Sequence, residues 1–152
     1  MDSKKIIELV KQLRGETGAG IMECKKTLEQ SGGNLAKARK EIAKMGFTKA
    51  AKKADRETSQ GHIATYTHAN GKTGVIVEIL CESDFVAKNE EFRLFAKNLC
   101  LQITAMNPKN LKELLSQEYI RDPEKMVGDL VKETIAKFGE NIRIGRFERY
   151  EI

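Results

Sequence analysis

The spacing of apolar residues changes along the 152-residue chain. Over about the first 45 residues, apolar side chains recur every three or four positions, which is typical of amphipathic helices. From Gly61 the apolar side chains alternate with polar ones, which is typical of strands with one buried face. Helical spacing then returns, and the chain closes on a second alternating stretch. The pattern predicts a helical module followed by an α+β unit.

The first 46 residues are predicted to form three short helices joined by glycine-containing loops. Asn34 is a candidate N-cap of the third helix, and Gly46 is expected to end it. Ser3 is the candidate N-cap of the first helix. We assign residues 1–46 to a three-helix module that resembles ubiquitin-associated (UBA-like) bundles, whose usual role is to present a helix or loop to a partner. The predicted helices span residues 3–14, 21–30 and 34–45.

Residues 47–58 lack an apolar stripe and are predicted to form a charged linker with some helical character. Residues 59–152 are assigned to an α+β core that contains a small antiparallel sheet with helices packed on one face. Two of its strands are joined at Asn70-Gly71, a strong hairpin signal. The near-continuous apolar run 75–81 indicates that the second strand is covered on both faces.

The rest of the predicted core consists of helices and one closing strand. Met106 and Met126 are expected to face inwards from the first and last of these helices. Strict alternation at the end of the chain places Tyr150 and Ile152 on the buried side of the third strand. The predicted helices span residues 89–107, 111–119 and 122–138, and the strand spans residues 142–152.

A corner of mixed chemistry joins the second strand to the helix that follows it. An acid, an aromatic ring and a β-branched side chain adjoin there, and such corners carry function more often than the elements they join. In one interpretation, Phe85 is a core residue or packs back on Phe92 as a helix staple. In the other, Asp84 and Phe85 form an exposed probe that enters a partner.

Composition argues against several functional classes. Cys24, Cys81 and Cys100 form no Cys-x-x-Cys pair and are interpreted as small buried apolar groups. No carboxylate pair, Cys–His pair or metal-ligand set is readable, so we expect neither an enzyme nor a cofactor. No apolar run approaches the roughly 20 residues of a membrane helix, and no leader pattern is present, so we expect a cytoplasmic protein without membrane contact.

The net charge of +5 is unevenly distributed. Residues 1–58 carry 14 Lys or Arg and 8 Asp or Glu, whereas residues 59–152 carry 13 and 14. An alternative function is therefore a basic RNA- or ribosome-binding protein that uses residues 1–58. The chain lacks the aromatic interleaving of single-strand binders, so no direct nucleic-acid contact is expected. A third hypothesis, a ubiquitin-type recognition module, rests on the bundle alone.

Over nearly its whole length the chain resembles the bacterial translation elongation factor Ts family. The resemblance depends on several motifs in the family's order, each moderately specific by itself. They are residues 10–26, which include Arg14-Gly15-Glu16-Thr17-Gly18-Ala19-Gly20-Ile21-Met22; Lys49-Ala50-Ala51-Lys52-Lys53; Ser83-Asp84-Phe85-Val86-Ala87-Lys88-Asn89 followed by Phe92; and Gly139-Glu140-Asn141-Ile142-Arg143-Ile144.

The resemblance implies a guanine nucleotide exchange factor that promotes release of GDP from elongation factor Tu during protein biosynthesis. It implies that Asp84 and Phe85 enter a cleft of elongation factor Tu and displace its magnesium ion. The family usually has Thr where this chain has Ser83, and the hydroxyl group is retained. The implied corner residues are Ser83, Asp84, Phe85 and Val86. The residues implied to contact the GTPase domain are Arg14, Ile21 and Met22.

Size distinguishes this chain from the longer members of the family, which have a duplicated core. This chain has one copy and resembles the short form. One copy cannot supply both halves of the longer members' core, so a homodimer whose two cores pair is expected. The edge of the small sheet is the predicted site of pairing.

Overall fold

The computed structural model describes residues 2–152, and contacts between residues divide the chain into two compact units. The first comprises the chain up to Lys52 together with Lys132–Gly139. The second comprises Lys53–Val131 together with Glu140–Ile152. The predicted boundaries after residues 46 and 58 lie on either side of the first division. The return of residues 132–139 to the first unit has no signal in the sequence.

Helices and short antiparallel sheets make up the fold, so the predicted α+β class is confirmed. The helices are α1 Ser3–Thr17, α2 Ile21–Gln30, α3 Leu35–Lys53, α4 Asp84–Lys88, α5 Glu90–Met106, α6 Leu111–Ser116 and α7 Val127–Phe138. The strands are β1 Gln60–Thr67, β2 Thr73–Cys81, β3 Glu118–Tyr119, β4 Asp122–Met126 and β5 Ile142–Glu151.

The first three helices share one apolar core, as expected for a UBA-like bundle. Asp2, rather than Ser3, caps α1, because its carboxylate accepts a hydrogen bond from the Lys4 amide at 3.4 Å. The helix continues through Gly15 and ends where Gly18 adopts φ 70°. The buried side chains of this core are Val10, Leu13, Cys24, Leu28, Ala38 and Ile42.

Helix α3 extends eight residues beyond its predicted end, since it ends at Lys53 and not at Met45. The prediction that Gly46 ends the helix is therefore wrong, and the first seven residues of the predicted linker are helical. A Cβ added at Gly46 would lie 3.1 Å from the Ala136 Cβ, so this glycine makes room for α7 within the first unit. The Lys- and Ala-rich residues that follow are good helix formers and allow the helix to continue.

In the second unit, β1, β2 and β5 form the predicted three-stranded antiparallel sheet, in the order β1-β2-β5. Helix α5 packs on one face of it. The prediction that β2 is covered on both faces is wrong, because Ile76 on its other face is 45% exposed. The buried side chains of α5 and the sheet include Phe92, Phe95, Leu99, Ile103, Ala64, Val75, Val77, Ile79, Ile142 and Ile144.

A β-bulge interrupts the pairing of β2 with β5. Val77 pairs with Phe147, but Ile79 pairs with Ile144, so β5 has one residue more than β2 in this interval. An extra residue reverses the faces of all side chains beyond it. Tyr150 is consequently exposed, and so is Ile152 just beyond the strand. The prediction that both are buried is wrong.

The segment between α5 and α7 contains a two-stranded sheet that the sequence did not indicate. Residues 118–119 and 122–126, both expected to be helical, pair as β3 and β4, so α7 begins only at Val127. The fully buried Gln102 of α5 fixes their turn, since it donates to the Glu118 carbonyl at 3.0 Å and accepts from the Ile120 amide at 2.9 Å. Met106 and Met126 are partly exposed and not inward.

All three cysteines are buried and free, as the sequence predicted. Burial raises the pKa of the Cys81 and Cys100 thiols to about 11, so both remain protonated and weakly nucleophilic at neutral pH. Among residues 2–152, no helix has both the length and the apolarity needed to span a membrane.

Candidate functional site at the strand-to-helix corner

The corner after β2 is a separate one-turn helix, α4, which the sequence did not predict. Ser83 is its N-cap, and the Ser83 hydroxyl oxygen accepts from the Val86 amide at 3.3 Å. Asn89 ends α4 and caps α5, as predicted for the longer helix. Its side-chain oxygen accepts from the Glu91 and Phe92 amides at 2.8 and 3.3 Å. Two polar caps therefore define both ends of the corner.

Phe85 is 90% exposed, whereas Phe92 is fully buried. The interpretation of Phe85 as a core residue or helix staple is therefore wrong. The Asp84 carboxylate is also exposed and lies 2.7 Å from the Lys88 ammonium group, one helical turn away. Ala87 is the buried residue of α4 and packs the helix onto the protein. The acid and the ring thus project into solvent from a helix anchored on its opposite side.

Two residues just before β5, Glu140 and Asn141, form hydrogen bonds with the corner. Both the amide and the hydroxyl of Ser83 donate to the Glu140 carboxylate, at 3.0 and 2.5 Å. The backbone amide of Asn141 donates a hydrogen bond to the Glu82 carboxylate at 2.7 Å. We refer to Glu82, Ser83, Glu140 and Asn141 as the corner clasp. Sequence reasoning missed it, although residues 139–144 were recognised as a family motif, because the paired residues are nearly 60 positions apart.

The other predicted group lies in the first unit, around the loop between α1 and α2. Arg14, Ile21 and Met22 are all exposed, and Met22 most of all, at 74%. Two ion pairs connect α3 to the helices on either side of this loop. Arg39 of α3 binds both carboxylate oxygens of Glu16, and its guanidinium group lowers the pKa of that carboxyl. Lys49 binds Glu23 at 2.5 Å. Ile21 and Met22, the first two residues of α2, are therefore exposed apolar side chains beside this loop.

These features favour binding rather than bond-making chemistry. The corner offers an aromatic ring, a carboxylate and a hydroxyl group already used as a helix cap. Exposed aromatic side chains on rigid supports are typical anchors of protein–protein contacts. The fold and the corner together define a two-unit α+β protein that presents an exposed aromatic side chain on a capped helical turn.

Comparison with known proteins identifies the family. The family model "Elongation factor TS" matches residues 82–152, which include the corner and the whole clasp. An elongation factor Ts of Leptospira biflexa is 40% identical over 190 residues, covering 95% of this chain and 96% of that protein. Those of Oleidesulfovibrio alaskensis and Nitratidesulfovibrio vulgaris are 42% and 41% identical with similar coverage. The chain belongs to the elongation factor Ts family.

This chain is shorter than the relatives it matches. The aligned region with the Leptospira protein has 190 positions, whereas 95% of 152 residues is about 144, so the relative carries about 46 residues there that this chain lacks. The three-stranded sheet, the corner and the clasp are all formed without them. Those additional residues are therefore dispensable for building the corner.

Proposed function

We propose that the chain binds the GDP complex of elongation factor Tu and promotes GDP release, so that GTP can replace it. The observation that supports this most directly is the nearly complete exposure of Phe85 on a capped corner, in a member of this family. Leaving a phenylalanine in water is unfavourable for the free protein. A partner cleft that buries this ring recovers that free energy and explains why the ring is exposed.

In the proposed mechanism, the corner acts as a wedge between helices of elongation factor Tu. Magnesium neutralises the nucleotide phosphates and holds them to the GTPase. When Phe85 is inserted, with Asp84 beside it, the segments that hold magnesium move. Elongation factor Tu then binds GDP more weakly. No covalent step is required. Burial of one phenylalanine side chain stabilises the inserted state by about 1.5–3 kcal/mol, which corresponds to roughly ten- to a hundredfold in an equilibrium.

Exchange by this route is reciprocal. If the factor weakens GDP binding by a given ratio, GDP must weaken binding of the factor by the same ratio. The factor therefore binds nucleotide-free elongation factor Tu most tightly, and incoming nucleotide releases it. This property lets a small amount of factor serve many GTPase molecules.

The second contact is proposed for Arg14, Ile21 and Met22 on the GTPase domain. Ile21 and Met22 are neighbouring exposed apolar side chains, and Arg14 is a cation near them. This arrangement resembles the apolar centre and polar rim of a protein–protein interface. These side chains lie on the ends of α1 and α2, so their backbone is already ordered before binding, which reduces the entropy lost on association. This contact supplies affinity, whereas the corner supplies the effect on nucleotide.

Self-association is the last part of the proposal. We propose that two copies pair through their three-stranded sheets. β1 and β5 are edge strands of that sheet, and its side away from α5 exposes Ile63, Ile76 and Tyr150. Edge strands and exposed apolar side chains of this kind favour association with a second copy.

The test of the exchange function is release of a fluorescent GDP from elongation factor Tu in excess magnesium. The wild-type chain should accelerate release many-fold, and Phe85→Ala should lose about tenfold or more of that acceleration, because it removes the buried ring. Leu94→Ala is the matched control: Leu94 is also an exposed apolar residue, 53% exposed, but lies outside the proposed contact. It should accelerate release like wild type.

Other outcomes have distinct meanings. Equal acceleration by wild type and Phe85→Ala would retain the exchange function but remove Phe85 from the mechanism, and Arg14, Ile21 and Met22 would then be tested. No acceleration by either protein would refute the exchange function. Salt-dependent retention of residues 1–58 on RNA would then support the alternative, a basic RNA-binding protein.

A further inference from the structure

We propose that Glu140 is a positioning residue that fixes the direction in which the corner presents Asp84 and Phe85. This inference builds on the proposed exchange function, since it assigns a role to a residue that does not itself project from the corner. Glu140 acts through Ser83, the N-cap of α4. Its side chain connects the segment just before β5 to the start of the corner, 57 positions away in sequence.

The backbone amide and the hydroxyl group of Ser83 both take part in hydrogen bonds. One carboxylate oxygen of Glu140 accepts the Ser83 amide at 3.0 Å, and the other accepts the Ser83 hydroxyl at 2.5 Å. The same hydroxyl oxygen accepts from the Val86 amide at 3.3 Å. Since its proton is committed to Glu140, the hydroxyl oxygen has its lone pairs free for the helix. Glu140 therefore orients the cap that defines the first turn of α4.

The other half of the clasp holds the surrounding backbone. Asn141 is 2% exposed, and its amide donates to Glu82. Its side-chain nitrogen donates to the Ala54 and Arg56 carbonyls at 3.3 and 2.8 Å. Arg56 in turn lies 3.6 Å from the Glu82 carboxylate. Residues 140–141 thus join the entry to β1, the end of β2 and the corner in one hydrogen-bond network that includes the Glu82 and Glu140 carboxylates.

The clasp adds polar contacts to the packing of α4 against β1, β2 and α5. Helix α4 has five residues, too few for a stable helix by itself. Phe85 is exposed, so its ring gains little orientation from packing, and Ala87 is the one buried side chain of α4, with Val86 partly buried beside it. Without the clasp, α4 would populate several orientations, and the fraction competent for insertion would fall. The apparent activity falls by the same fraction.

The experiment compares wild type with Glu140→Ala and Glu140→Gln, with Glu124→Ala, an exposed carboxylate in β4, as the matched control. Hydrogen exchange of the Ser83 and Val86 amides is followed by NMR without any partner. Glu140→Ala should accelerate their exchange about tenfold or more, as expected for loss of one charged hydrogen bond. Glu140→Gln should give an intermediate result, because its single amide oxygen replaces only one of two acceptors. The control should match wild type.

The same variants are then assayed for GDP release from elongation factor Tu. Glu140→Ala should lower the acceleration about tenfold in the wild-type background. It should cause no further loss in an Asp84→Ala/Phe85→Ala background, because the residues it positions are already absent. A merely structural defect would lower activity in both backgrounds. Thermal denaturation checks that each variant is folded.

Each result bears on one proposal. Unchanged exchange of the Ser83 and Val86 amides in Glu140→Ala would overturn the positioning role, whether or not GDP is released. An equal loss of activity in both backgrounds would also overturn it, since Glu140 would then act on something other than the corner. Failure of wild type to release GDP would instead refute the exchange function, while the amide measurement would still decide what orients the corner.

Discussion

Glu78 illustrates how one side chain can stabilise an irregularity in a sheet. At the bulge between β2 and β5, its Oε1 accepts the Arg146 amide at 2.8 Å, and its two oxygens bind the Arg146 guanidinium at 3.0 and 2.9 Å. A Cβ added at Gly145 would lie 2.6 Å from that Oε1, so the glycine makes room for the carboxylate. These hydrogen bonds lower the Glu78 pKa from 4.5 to about 2.

This pKa predicts a specific dependence of stability on pH. The folded-state value lies below the unfolded one, so the unfolded chain binds the proton more readily between them. The stabilisation is therefore complete above pH 4.5 and is lost as the pH falls toward 2. Thermal denaturation of wild type and Glu78→Gln should show the larger melting temperature for wild type at neutral pH. The difference should stay constant down to about pH 4.5 and then shrink as the pH is lowered toward 2.

The variant itself serves as the control for other acidic groups, because their titration is common to both proteins. A melting-temperature difference that stays constant from neutral pH to pH 2 would mean that Glu78 does not titrate through its contact with Arg146. The variant would then act only through altered packing at the bulge.

At the scale of elements, close backbone approach decides which substitutions the sheet accepts. Gly61 of β1 pairs with Leu80 of β2, and a Cβ added there would lie 2.3 Å from the Ile79 carbonyl oxygen. That atom belongs to the central strand and cannot move without disturbing its pairing. In β2, a Cβ at Gly74 would lie 3.9 Å from the Tyr66 carbonyl oxygen, an ordinary contact.

Alanine substitutions at these two glycines should therefore change the free energy of unfolding by different amounts. Gly61→Ala should destabilise the protein by about 1–3 kcal/mol, the usual range for forced overpacking. Gly74→Ala should be neutral or slightly stabilising, since it restricts the unfolded chain without creating a clash. Urea denaturation measures both free energies of unfolding. Comparable losses for the two variants would show that strand entropy or pairing, and not the Ile79 carbonyl, governs the effect.

At the scale of the whole molecule, the side of the three-stranded sheet away from α5 carries exposed apolar side chains. Ile63, Ile76 and Tyr150 are exposed there, whereas α5 covers the other side. Homodimer formation would bury these side chains and protect the edge strands. The proposal also agrees with a single core copy in this chain.

If the chain forms the proposed homodimer, analytical ultracentrifugation at tens of micromolar protein should give twice the mass of a single chain. Ile63→Glu places a charge on an edge strand at an exposed position and should shift the protein toward monomer, because the charge would be desolvated on pairing. Its melting temperature at low concentration should change little. A wild-type chain that sediments as a monomer under these conditions rules out the homodimer.

Sequence patterns by themselves determined the fold class, the three-stranded sheet, most helices and the caps at Asn34 and Asn89, because these depend on periodicity and local hydrogen bonding. The residue pattern also located the corner, whereas the resemblance to the family implied its role and the second contact group. Only the tertiary structure decided whether Phe85 is buried or exposed, since an aromatic residue after a strand satisfies either pattern. It also corrected Tyr150, because a single bulge residue reverses the faces beyond it.

Three further features depend on contacts between residues distant in the sequence. The absence of a side chain at Gly46 leaves room for Ala136 of α7. Residues 122–126 form a strand because Gln102 fixes the turn that brings them against 118–119. The clasp joins Ser83 to Glu140 across nearly 60 positions. Local propensity describes what each segment can form, but packing energy between segments selects among these options, and that energy exists only once the chain has folded.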